Sequence, residues 1–65
     1  MSYALVLAIS DEAIQEFKTI DAARTYKEGF DEQGWKDVFP HLSKAPATYV
    51  GVWNDVSGWH PIKEN

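Results

Sequence analysis

The chain has 65 residues, ten of them acidic and six basic, for a formal net charge of −4, and it contains no cysteine. One small domain is the most this length supports, and such a domain buries only about 60% of the surface its unfolded chain exposes. The missing cysteines exclude a disulfide staple, thiolate chemistry and every Cys-based metal site, and an acidic chain without a Lys/Arg cluster lacks the footprint a phosphate backbone requires.

Tyr3 to Ile9, YALVLAI, is the longest apolar run, and its seven residues fall far short of the roughly 20 that span a membrane. It lacks the basic flank of a secretory signal, so a soluble, cytoplasmic protein is expected. Rich in aliphatic residues and free of Gly and Pro, the run reads as a strand.

The stretch from Ser10 to Phe30 admits two readings. Ser10 followed by Asp11 and Glu12 would start one long helix, with acids in its first turn. In that helix Ile14, Phe17, Ile20, Ala23 and Tyr26 recur in steps of three. Each step falls about 60° short of a turn, so four of them wind the apolar stripe by about 240° around the axis. That drift favours a break. The preferred reading makes Asp11–Ala13 a turn and Ile14–Lys18 a second, mostly polar strand. Thr19 then caps a helix from about Ile20 to Gln33, with Asp21 in its first turn. Ile20, Ala23, Tyr26 and Phe30 share the apolar face of that helix, and Gly34 ends it.

Pro40 and Pro46 exclude a long helix beyond Trp35, leaving room for a single turn over Lys36–Phe39. ATYVGVW has strand composition, and NDVSG links it to WHPI. A five-residue link ending in Gly suits a hairpin with a type I turn and Gly58 in the left-handed conformation. Closing that loop with Trp53 and Trp59 sets the two indoles opposite each other on one face. Pro61 removes a backbone donor, so the last strand is short or at an edge. The expected fold class is α+β: a single domain over residues 1–65, with a small antiparallel sheet in ββαββ order and one helix packed on one face.

Both hydrophobic strands are apolar on both faces. Tyr3, Leu5, Leu7 and Ile9 alternate with Ala4, Val6 and Ala8, and Tyr49, Gly51 and Trp53 alternate with Val50 and Val52. A solvated antiparallel face should instead be polar at every second position. One helix cannot cover two apolar faces. Either Trp35, Val38, Phe39 and Leu42 fold back over the second face, or another protein or a second copy of the chain covers it. Ala4, Val6, Ala8, Val50 and Val52 are the candidate apolar interface.

Little in the chain points to catalysis. His41 and His60 stand 19 positions apart, outside any HxxxH or HExxH metal spacing. No nucleophile elbow, P-loop or dinucleotide-binding pattern is present. Ser10, Ser43 and Ser57 neighbour turns, where a hydroxyl bonds local backbone. A non-enzymatic protein-binding module without cofactor or metal is expected, with no direct nucleic-acid or membrane partner. Trp is enriched at binding hot spots, which makes Trp53, Trp59 and Trp35 candidate partner-binding residues, against the plainer use of filling a core. Asp21, Glu28 and Glu32 fall within about 40° of one another on the expected helix, opposite its apolar face. They form either an ordinary solvated face or an acidic surface for a basic protein, such as one that grips nucleic acid.

FKTIDAARTYKEGF followed by YVGVWNDVSGWHPI resembles the short open reading frames carried by bacteriophages and mobile elements, which pair a Thr-capped helix with a terminal aromatic hairpin. The likeness is one of general pattern and covers most of the chain. It implies a small acidic protein that acts by binding and inhibiting a host protein.

Overall fold

The computed structural model describes residues 2–62. Its first two elements are strands, β1 (Tyr3–Leu7) and β2 (Ala13–Phe17). The polar segment after Ser10 therefore extends alongside β1, with Tyr3 opposite Phe17, Ala4 opposite Glu16 and Leu5 opposite Gln15. A bulge between Leu5 and Val6 shifts the register so that Val6 meets Ala13. The turn between the strands holds Asp11 at φ 57, a left-handed conformation that Asp tolerates better than most residues. Asp11 N–H donates to the Leu7 carbonyl at 2.8 Å, and Leu7 N–H donates to the Glu12 carbonyl at 2.9 Å.

Helix α1 runs from Ile20 to Gly29, and the Thr19 hydroxyl caps it by accepting from Ala22 N–H at 3.2 Å. Its core side carries the fully buried Ala23 and the half-buried Ile20 and Tyr26. The helix does not end at Gly34. The backbone widens into a π-helical turn over Phe30–Gly34 and continues as a short α2, Trp35–Val38. Trp35 N–H donates to the Phe30 carbonyl, five residues back. At 100° per residue Phe30 and Trp35 would point about 140° apart; the extra residue in the widened turn swings both toward the core. Gly34 is helical, at φ −60 and ψ −26, and a Cβ there would meet the Gly29 carbonyl oxygen at 3.2 Å. It thus eases a crowded turn and does not terminate the helix. Termination comes at Phe39, which leaves helical geometry (φ −127, ψ 69) because the following Pro40 disfavours it.

Strands β3 (Thr48–Asn54) and β4 (Gly58–Pro61) complete an antiparallel sheet in the order β2-β1-β3-β4. The architecture is the α+β, ββαββ arrangement expected, with α1 packed on one face. On that inner face Leu5, Phe30 and Trp35 form the buried cluster, joined by Ile14, Tyr26, Phe39, Leu42 and Ala45. A run of ring contacts links sheet to helix to loop: Phe17 to Tyr26 at 5.2 Å, Tyr26 to Phe30 at 6.1 Å and Phe30 to Phe39 at 6.4 Å. Asp31 fastens the widened turn to the sheet by accepting from the Thr48 hydroxyl at 2.8 Å while pairing with Lys27.

The register corrects the expected apolar interface. Leu5 lies opposite Val50 and Tyr3 opposite Val52, so the two valines share the inner, helix-covered face. Ala4 and Val6 lie opposite Gly51 and Tyr49 on the outer face. Alternation within each strand was legible, but which set of β3 faces which set of β1 depends on register. The 35–42 segment also packs on the helix side, not over the outer face. That outer face is sealed from within the sheet. Ala4 and Val6 are completely buried there, and the Tyr49 ring folds into the space above Gly51. A Cβ on Gly51 would meet Val6 Cγ2 at 3.0 Å, Tyr49 Cε2 at 3.1 Å and the His60 carbonyl oxygen at 3.4 Å.

Candidate binding face on the outer side of the sheet

The β3–β4 hairpin sets the geometry of the outer face. Asn54 pairs with Gly58, and Asn54 Oδ1 accepts from Val56 N–H at 2.9 Å and Ser57 N–H at 3.3 Å, a local bond that Asn favours in turns. Gly58 sits at φ 83, where a Cβ would be strained. This closure puts Trp53 directly opposite Trp59. The two rings meet at a steep tilt of 67°, with centroids 5.0 Å apart, the edge-to-face geometry that the quadrupole of an aromatic ring prefers.

Trp53 remains 46% exposed, and Val56 at the hairpin tip is 96% exposed. The indole N–H of Trp53 donates to Asp55 Oδ1 at 2.8 Å. Two residues before Trp53 along the same face is Gly51, and two further is Tyr49, whose hydroxyl donates to Asp11 Oδ1 at 2.8 Å. Burial first, then the Asp11 hydrogen bond and its negative charge, push the Tyr49 hydroxyl from 10.0 up to about 12. Each of these favours the neutral phenol. Glu16, opposite Ala4, places a third exposed carboxylate on this side of the sheet. Tyr49, Trp53 and Trp59 therefore make an aromatic row fringed by Asp11, Glu16 and Asp55.

The expected site residues separate into three groups. Trp53 and Trp59 come together on the outer face. Trp35 does not join them: only 8% exposed, it belongs to the core, because the widened turn rotates it inward. Of the apolar set, Ala4 and Val6 are completely buried and Val50 is nearly so, Val52 is half-buried on the inner face, and Ala8 alone is exposed. Asp21, Glu28 and Glu32 are all exposed. Glu32 lies in the widened turn, where each residue advances by less than 100°, so it lags behind the stripe drawn through Asp21 and Glu28. The three acids lie on the helical layer, across the sheet from the tryptophans. The acidic stripe and the aromatic hairpin are therefore separate surfaces.

Sequence reasoning passed over Tyr49, Asp11, Asp55 and Glu16 as site residues. Asp55 carried a usable signal, two positions after a strand Trp and at the start of a turn. Glu16 carried another, alternating with the inward Phe17. The Tyr49–Asp11 bond joins residues 38 positions apart and left no local trace.

Two other features hold chemistry-bearing groups. Ser57 Oγ contacts His60 Nε2, with both residues exposed at the hairpin end, whereas a serine nucleophile needs an oriented base in a site that excludes water. A cleft of about 460 Å³ between the end of β1 and the 39–47 loop is lined mainly by apolar residues, including Leu7, Ile9, Phe39 and Leu42, with His41 and Lys44 among them. Among the described residues, no three His, Asp or Glu side chains are grouped to hold a metal ion, and no helix is long and apolar enough to cross a membrane. No protein-family model, curated protein or solved structure matches this chain.

Proposed function

We propose that this protein is a non-enzymatic protein-binding module that works by occupying a basic surface of its partner with the outer face of its sheet, an inhibitor by occlusion. The observation that carries this reading is the half-exposed Trp53, held edge-to-face against Trp59 on the side of the sheet that no helix covers. A fully structural indole pair would gain from burial, since an exposed Trp surface forgoes roughly 25 cal/mol for each Å² left in water. Exposed Trp beside Tyr is the composition of binding hot spots. The fringe of Asp11, Glu16 and Asp55 and the net charge of −4 favour a cationic partner, drawn in by long-range attraction.

The helix-side acids Asp21, Glu28 and Glu32 contribute to that attraction without touching a partner seated on the sheet. The test is affinity capture from a lysate of the source with wild-type protein, Trp53→Ser, and an Asp21/Glu28/Glu32→Lys triple variant. A partner retained by wild type, lost by Trp53→Ser and weakened with flattened salt dependence by the triple variant supports the reading. Equal capture by wild type and Trp53→Ser overturns it. A tight homodimer in light scattering that dissociates on Trp53→Ser also overturns it, because the face would then be buried against a second copy.

A further inference from the structure

We infer that the Trp53–Asp55 unit is an arginine site: a guanidinium from the partner stacks on the exposed indole and pairs with the carboxylate beside it. This rests on the outer-face reading and names the chemistry it recognises. Three features of the hairpin converge on that chemistry. The first is an indole only half covered, the best π surface for a cation. The second is the position of the carboxylate. The Trp53 N–H holds Asp55 Oδ1 at 2.8 Å, so the negative charge is fixed at the edge of the ring and not free to swing into solvent. A cation over the indole therefore meets the π face and the carboxylate together, and the carboxylate loses little freedom on binding. The third is the rigidity of the frame. Asn54 Oδ1 binds two turn amides, Gly58 closes the loop in the left-handed region, and Trp59 packs against Trp53 from the opposite strand.

These features select arginine over lysine. Guanidinium is planar, stacks on aromatic faces, gives up its hydration more readily than ammonium and offers a fork of donors to a carboxylate. Ammonium gains the charge attraction but neither the stacking nor the fork. Glu16 and Asp11, on the same face, add negative charge without contacting the hairpin tip, which favours a segment carrying more than one cation.

The experiment titrates ¹⁵N-labelled protein with three acetylated pentapeptides, Gly-Xaa-Gly-Xaa-Gly, in which Xaa is arginine, lysine or citrulline, the neutral isostere of arginine. The readouts are the indole N–H signals of the three Trp residues, assigned through single Trp→Phe variants. Expected are saturable shifts of Trp53 and Trp59 with the arginine peptide and a still Trp35. Binding should be several-fold weaker with lysine and absent with citrulline. Asp55→Asn keeps an oxygen to accept from the indole while removing the charge, and should weaken the arginine peptide about fivefold, as expected for an exposed charge pair. If citrulline or lysine matches arginine, or Asp55→Asn binds arginine unchanged, the arginine site is overturned while the outer face stands as the contact surface. If no peptide moves any outer-face signal the arginine site is overturned, and if a partner captured as above also still binds the Trp53→Ser variant, the outer-face reading falls with it.

Discussion

Replacing Gly51 with alanine tests how the outer face is sealed. The added methyl would sit 3.0 Å from Val6 Cγ2, 3.1 Å from Tyr49 Cε2 and 3.4 Å from the His60 carbonyl oxygen. Val6 is completely buried and branched at Cβ, so it has little room to turn. The Tyr49 ring is tethered through its hydroxyl to Asp11 at 2.8 Å, and the His60 carbonyl belongs to the paired strand. Overpacking of this kind costs about 1–3 kcal/mol. Gly51 has no left-handed φ, so alanine recovers about 0.4–1 kcal/mol by restricting the unfolded chain. The net destabilisation is about 1 kcal/mol, equivalent to a fall in Tm of roughly 4–8 °C for a domain of this size. Urea and thermal unfolding followed by Trp fluorescence measure it. In a Tyr49→Ala background one of the close contacts is gone, and the same substitution should cost less. A Gly51→Ala protein as stable as wild type, or an equal cost in both backgrounds, would refute the claim that the Tyr49 ring seals the face through the space above Gly51.

Three further substitutions probe the same structure. Tyr49 keeps its proton in the folded state up to about pH 12, whereas in the unfolded chain it ionises near 10. Its contribution is therefore intact below pH 10 and is lost as pH rises through 12, because the unfolded state releases the proton first. Ultraviolet difference titration should show a tyrosine ionisation step near 12. Asp11→Asn should bring that step back toward 10, and an unchanged titration would remove Asp11 as a cause. For the tryptophans, Trp35→Ala should cost about 3–5 kcal/mol as a large core truncation, while Trp53→Ala, at a half-exposed site, should cost about 2 kcal/mol, the ring pair plus the covered part of the indole. Equal losses in denaturant midpoint would contradict the division into core and surface indoles.

Local chemistry in the sequence determined where most elements lie. Thr19 ahead of Ile20 and Asp21 carries the cap of α1, the drifting stripe from Ile14 to Tyr26 favours a break over one long helix, and NDVSG closes Trp53 on Trp59. Each depends on neighbours a few residues apart, the range over which propensity and turn geometry act. Tertiary structure decided the rest. Gly34 reads as a stop by the usual rule, yet packing favours a widened turn that brings Phe30 and Trp35 into one core and removes Trp35 from the surface. The pairing of Leu5 with Val50 sends Val50 and Val52 inward, because a strand's alternation leaves open which face it turns to its neighbour. The Tyr49–Asp11 bond and the separation of the Asp21, Glu28 and Glu32 stripe from the indoles are likewise products of assembly. They arise from where the β1–β2 turn lands beside β3 and from which side of the sheet the helix covers, neither of which a local pattern encodes.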